Sequence, residues 1–253
     1  MTKTVRVHIN AAVATLVIDN AERRNAMSLA MYAAIPDAVR SIVDAPAVRV
    51  VILRGAGDIA FGAGSDISEF SEHRTGSAAI VYNEIEERAV QAIAAIGVPV
   101  LALIHGPCMG GGAGMALCAD IRFAADDATF AVPPAKLGVG YPSMSTARLQ
   151  AVVGVSRAKD LIFSGRVIEA AEALRIGLVD FVAAKADLEK QVDSYAAQIT
   201  RNAPLTIAAA KLALDHGNTA ATRAAIAACY SSADYAEGIR AFGEKRRPRF
   251  EGR

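Results

Sequence analysis

Two short runs rich in β-branched residues open the chain, TVRVHI (4–9) and VATLVID (13–19), and they predict an antiparallel pair of strands. Ser28 then stands as an N-cap before a helical pattern reaching about Val43, which Pro36 is expected to kink or interrupt. Two continuous apolar runs follow, VRVVILRG (48–55) and VPVLALIHG (98–106). Runs apolar on both faces suit parallel strands buried on both sides. Between them Val81, Ile85, Ala89, Ile93 and Ile96 recur at helical spacing and predict a helix from about Ser77 to Ala95. The β-α-β order points to an α/β fold. Beyond about Val155 the pattern turns to Ala-rich helical segments near 156–164, 185–200, 203–216 and 219–245, with no internal repeat. The expected plan is an α/β core over 1–200 and a helical region over 201–253. So many apolar helical faces at one end suggest packing on a neighbouring subunit, hence an oligomer.

Composition narrows the class of partner. With 53% apolar and 21% charged residues, 253 residues can bury a sizeable core, and 27 basic against 26 acidic side chains leave a net charge of +1. That balance gives no electrostatic case for nucleic acid or an anionic membrane, the basic KRRPRF (245–250) being a local exception. Three cysteines, Cys108, Cys118 and Cys229, without CxxC spacing suggest reduced thiols and a cytoplasmic protein. The opening MTKTVRVHIN has no apolar signal core, and no uncharged stretch reaches the roughly 18 residues of a membrane span. His8, His73, His105 and His216 lie too far apart to suggest a metal site.

The chemistry gathers at two glycine turns, HGPCMGGGAGMALCAD (105–120) and FGAGSDISEF (61–70). Neither has the G-x-G-x-x-G or G-K-[ST] spacing, so dinucleotide and Walker-type phosphate binding lose their support. Glycines at a helix start instead let a ligand reach bare N–H groups at the positive end of the helix dipole. Asp66 with Glu69 fits a capping box, which sets the N–H of Ser65 just ahead of a helix. Two such N–H groups aimed at one carbonyl oxygen form an oxyanion hole. The alternative is a pair of tight strand-to-helix turns with no ligand.

Together with RRNAMS (23–28), LIFSGRVIEAAEALRIGLVD (161–180) and AFGEKRRPRF (241–250), in this order, the two turns make the chain resemble the enoyl-CoA hydratase/isomerase, or crotonase, superfamily. The resemblance implies a crotonase-like spiral of β-β-α units with a C-terminal helical trimerisation region. It implies an acyl-CoA substrate, a homotrimer or dimer of trimers, and no cofactor beyond the coenzyme A of the substrate. It also implies that the N–H groups of Ser65 and Gly111 stabilise a thioester enolate, whose oxygen gains charge mainly in the transition state. Substrate contacts are expected from Arg23, Arg24, Ala26, Ala63, Asp66, Ile67, Gly110, Lys136 and Lys245.

The two glutamates of the hydratases fall, by the same resemblance, on Gly114 and Pro134, so ordinary hydration lacks both of its acid/base groups. Among the other polar residues, Asp66 and Asp120 read as structural, His105 as a satisfied core histidine, and Cys108 and Cys118 as small core residues. Tyr141, in KLGVGYPSM (136–144), is similar to a tyrosine of the acyl pocket in the methylmalonyl-CoA decarboxylase branch, as is the tail 230–250. It reads either as an aromatic plug before Pro142 or as a catalytic group. Decarboxylation of a small malonyl-type CoA thioester needs no base and suits a wall free of acids, expected from residues such as Ala113, Met115, Val132, Pro133 and Met144. Divergent hydration, isomerisation, thioester hydrolysis and non-catalytic acyl-CoA binding are the alternatives, isomerisation lacking a well-placed base.

Overall fold

The computed structural model describes residues 3–253, so the first two residues of the expected 1–200 core lie outside the described residues. Strands β1 (Thr4–Asn10) and β2 (Val13–Asp19) form the expected antiparallel hairpin. Strands β3 (Val50–Gly55), β4 (Val100–Ile104), β6 (Ile121–Ala125) and β9 (Phe181–Ala183) continue the sheet in parallel, giving the order β1-β2-β3-β4-β6-β9. A smaller sheet holds β5 (Pro107–Met109), β7 (Thr129–Ala131) and β8 (Ile168–Glu169). The strands after β3 thus enter in pairs, β4 with β5 and β6 with β7, the first of each pair in the large sheet and the second in the small one. Short helices follow each pair, α4 (Gly111–Ala116) and α5 (Pro134–Leu137). The fold is a mixed α/β one.

The apolar runs are buried on both faces because both faces of the large sheet are covered. Val51 and Leu53 face one core with Met31, Ile35 and Ile93, while Val50 and Ile52 face a second with Leu188 and Val192. Helices α1 (Leu29–Val43) and α3 (Ala78–Ala94) cover the first face and α8 (Leu188–Thr200) the second.

Several local expectations are corrected. Ser28 caps α1 as expected, its Oγ accepting the Met31 N–H at 3.2 Å, but Pro36 does not break the helix. Its lost N–H is outweighed by a buried stripe on both sides of it, Met31, Tyr32, Ile35, Val39 and Ile42. Helix α3 forms where predicted and buries most of the predicted stripe, Ala89, Ile93 and Ile96 fully and Ile85 in part, but not its first residue. Val81 is 54% exposed, and the buried stripe is Tyr82, Glu86, Ala89, Val90 and Ile93. The predicted 156–164 helix is the second half of α6 (Ser143–Ser164), which changes direction at Gly154 (φ +77°). After α7 (Ala170–Arg175) and α8 come α9 (Pro204–His216), α10 (Ala220–Tyr230) and α11 (Ala233–Gly243). The single 219–245 segment is therefore two helices, because Ser232 accepts the Tyr235 N–H at 3.0 Å and starts a new one. Among the described residues no helix is long and apolar enough to cross a membrane.

Candidate active site

The two glycine turns lie against each other. Met27 pairs with Ser65 through the Gly64 carbonyl and the Asp66 N–H, at 2.8 and 2.7 Å. Extended backbone alternates, so the Ser65 N–H points the other way and has no partner among the described residues. Gly62 bridges to Cys108 of β5, bringing the first turn onto the start of the second. A Cβ on Gly112 would stand 2.6 Å from the Gly62 carbonyl oxygen, so only glycine lets the two backbones approach this closely. Gly111 opens α4, and its N–H, one of the orphan donors of a first helical turn, also has no partner. Ser65 and Gly111 line one cleft with Ala63, Ile67, Gly110 and Tyr141.

Neither Glu86 nor Arg74 stands out in the sequence, yet both face this cleft. Glu86 comes from the buried stripe of α3 and is 3% exposed; its Oε2 accepts from Arg74 Nη2 at 3.0 Å. Arg74 follows α2 (Phe70–His73), and its guanidinium stacks 4.5 Å from the Tyr82 ring centre and 5.0 Å from that of Phe70. A second hydrogen bond, to Asn83 Oδ1 at 3.1 Å, completes its anchoring. Burial pushes the Glu86 carboxyl above the usual carboxylate range, and Arg74 offsets this only in part. The signal for Glu86 was the stripe itself: Tyr82, Ala89 and Ile93 lie on one helical face with Glu86 in its middle.

This corrects the expectation of a wall without acids. Of the five apolar residues expected there, Pro133 lines the cleft, beside Pro134, Leu137 and Val139. Ala113 and Val132 instead line an interior void with Leu149 and Phe130, and Met144 borders a depression on another face.

Tyr141 lines the cleft, but its hydroxyl donates to the Gly110 carbonyl at 3.1 Å. That carbonyl belongs to the same peptide unit as the Gly111 N–H, so the bond fixes and polarises the peptide that carries this N–H. Burial pushes the hydroxyl far above the usual phenol range, which keeps it protonated. A Cβ on Gly114 would lie 3.3 Å from this hydroxyl and 3.1 Å from Ser145 Oγ. Tyr141 and Ser145 thus occupy the space a side chain at position 114 would need.

The remaining predicted contacts divide. Asp66 is buried at the cleft rim, where its carboxylate accepts from Lys3 at 2.7 Å, Arg23 at 3.2 Å and the Ser68 N–H at 3.2 Å. Burial alone would raise its pKa, but Lys3 and Ser68 outweigh burial and hold it at about 2. Asp66 does cap the turn Ile67–Glu69, but Glu69 does not close the expected box. Its Oε2 accepts the Leu29 N–H at 2.8 Å instead. Arg24 is exposed, in a left-handed turn at φ +51°, and the backbone of Ala26 is bonded to Arg23 and Asn20. Lys136 is exposed and outside the cleft lining, its methylenes against Gly165. Lys245, after α11, is exposed and is not brought to the cleft within this chain.

Residues expected to be structural behave variously. Asp120 accepts from the Val100 N–H at 2.7 Å and from Lys211 at 2.8 Å. Burial pushes the Cys108 thiol up beyond reach and that of Cys118 to about 12, so neither is a nucleophile at neutral pH. His105 is buried but not satisfied: among the described residues neither ring nitrogen has a hydrogen-bond partner, and burial and Arg54 push its pKa down.

Residues 8–253 match the enoyl-CoA hydratase/isomerase family model. The crotonyl-CoA hydratase of Syntrophomonas wolfei is 35% identical, over 94% of this chain and 94% of that one. The short-chain-enoyl-CoA hydratase of Clostridium acetobutylicum is 34% identical, over 93% and 92%. A crystal structure of an enoyl-CoA hydratase/carnithine racemase from Magnetospirillum magneticum superposes with a TM-score of 0.93 at 33% identity, covering 100% of this chain and 97% of the other.

Proposed function

The chain belongs to the enoyl-CoA hydratase/isomerase family, and from that premise we propose that it is an acyl-CoA enzyme working through an oxyanion hole. The thioester oxygen sits between the N–H groups of Ser65 and Gly111 while the neighbouring carbon carries enolate charge. The observation behind this reading is that both N–H groups are unpartnered and line the same cleft. Fixed dipoles there act on charge that develops in the transition state, at no cost of reorganisation.

The reaction is one at the carbons next to the thioester, of the hydratase or isomerase kind. No relative named above is a decarboxylase, and a buried carboxylate beside the oxyanion hole disfavours a malonyl-type substrate. With glycine and proline at 114 and 134, hydration should be slow. Each missing acid/base group is worth about 10²–10⁴ in rate. The test is turnover of a panel of crotonyl-, 3-hexenoyl-, methylmalonyl- and butyryl-CoA. Conversion of an enoyl ester supports the reading. Carbon dioxide released from methylmalonyl-CoA would restore decarboxylation, free coenzyme A would indicate a thioesterase, and no turnover would leave a binder.

Tyr141 acts, on this reading, through the peptide it holds rather than on substrate. Tyr141→Phe should lower kcat about fivefold, the worth of one hydrogen bond of about 1 kcal/mol, with KM unchanged. A loss beyond about a hundredfold would be that of a proton donor and would return Tyr141 to the reacting atoms.

For the coenzyme A phosphates we propose Arg23 or Arg24, with Lys245, Arg246 or Arg247 reaching in from a neighbouring subunit. A homotrimer or dimer of trimers is supported by the apolar side chains left outside on α9–α11, among them Leu214 at 87% and Phe242 at 88% exposure, with Tyr230 and Ile239. Light scattering at micromolar concentration should give three or six subunits; a monomer would remove this part of the proposal.

A further inference from the structure

Enolate chemistry needs a group that carries a proton to and from carbon, and among the described residues lining the cleft Glu86 is the one carboxylate. Its two oxygens are differently placed. Oε2 is held by Arg74, while Oε1 accepts no hydrogen bond among the described residues and lies 3.5 Å from where a Cβ on Gly111 would be. Most buried carboxylate oxygens in folded proteins have a hydrogen-bond partner, because an unpaired one costs free energy. Here one oxygen is anchored and the other is left facing the oxyanion donor.

We propose that Glu86 is the acid/base of this cleft and that it moves a proton between C2 and C4 of a 3-enoyl-CoA thioester, converting it to the 2-enoyl isomer. The assignment rests on the oxyanion hole at Ser65 and Gly111. The C2–H bond breaks, its proton goes to Glu86 Oε1, and its electron pair makes a dienolate whose charge lies on the thioester oxygen between the two N–H groups. The double bond then forms between C2 and C3. The former C3–C4 π pair takes the same proton back from Glu86 at C4. Substrate and product are isomers, Glu86 ends as it began, and no water, oxidant or reductant enters. One carboxylate serves both steps because the second reverses the role it had in the first. Positions 114 and 134 supply no second acid. Arg74, locked between Phe70 and Tyr82, keeps the carboxylate in place, and burial tunes it towards the working pH.

Two measurements on the full-length protein test this: isomerisation of 3-hexenoyl-CoA, and deuterium uptake at C2 of butyryl-CoA in D2O. Wild type should catalyse both. Glu86→Gln, which keeps the shape, should lose about 10²-fold or more in kcat on both, with KM within a few fold of wild type. If Glu86→Gln fails to fold, Glu86→Asp keeps the charge and draws the oxygens back by one carbon, and the same loss is expected. Wild-type-like rates in a folded Glu86 variant overturn the assignment while leaving the oxyanion hole standing. A wild type that turns over crotonyl-CoA but neither isomerises nor exchanges overturns it too. A wild type that binds no acyl-CoA ester overturns both.

Discussion

Gly111→Ala should lower kcat by about 10²–10³, the usual worth of one oxyanion donor. A Cβ at this position would fall on the Tyr32 hydroxyl and within 3.2 Å of Ser65 Oγ. The first obstacle is therefore the protein's own tyrosine. Tyr32 cannot yield easily: its ring is fully buried, packs edge-on against Tyr82, and its hydroxyl bonds to Ser65 Oγ at 3.0 Å. The start of α4 must move instead, taking the Gly111 N–H with it, and a shift of about 1 Å can cost 10²-fold in rate. Tyr32→Phe in the same chain removes the overlapping oxygen and should restore part of the loss. Ser65→Ala keeps its N–H and should keep most activity. Steady-state kinetics on the best substrate of the panel decides the matter. Equal damage from Ser65→Ala and Gly111→Ala would mean that the serine hydroxyl, not the backbone, does the chemistry.

Arg74→Met should be the most destabilising change at the site, costing about 3–5 kcal/mol because it leaves the buried Glu86 charge unpaired. For a chain of this length that is a fall in Tm of roughly 10 °C or more. The pH dependence follows from the direction of the Glu86 shift. Its carboxyl titrates higher in the folded than in the unfolded chain, so the folded state binds the extra proton and stability falls as pH rises through that window. Without Arg74 the window widens upward. The deficit of Arg74→Met relative to the parent should therefore be largest at neutral pH and shrink towards pH 4.5. Asp66, held at about 2, has the opposite sign and weakens parent and variant alike on acidification. Arg74→Met with Glu86→Gln carries no buried charge and should regain most of the loss in thermal melts across this pH range. A double variant as unstable as the single one would assign the loss to the stacking on Phe70 and Tyr82.

Much of this site could be read along the chain. The glycine turns and the absence of carboxylates at 114 and 134 are local features, and the apolar runs mark strands β1 to β4 but not the short strands β5 to β9. Glu86 escapes a reading by spacing because the apolar stripe can start from Val81 as well as from Tyr82, and Ala89 and Ile93 fit both starts. The hydroxyl of Tyr141 was legible as a group but not in its direction. Lys136, adjacent in sequence to the cleft residues Pro134 and Leu137, turns out of the cleft.

Element type and turn chemistry were largely determined by the sequence alone, because propensity, capping and glycine placement act over a few residues. Only the tertiary structure decided how each element is rotated about its own axis. Helix α3 is turned by its packing along α1, where Tyr82 meets Tyr32 edge-on at 6.3 Å between ring centres. That contact spans fifty residues of chain, leaves Val81 in solvent and swings Glu86 into the cleft. The energy that selects such a rotation comes from partners distant in sequence, so the local pattern marks the approximate face and leaves its edge to the tertiary contacts.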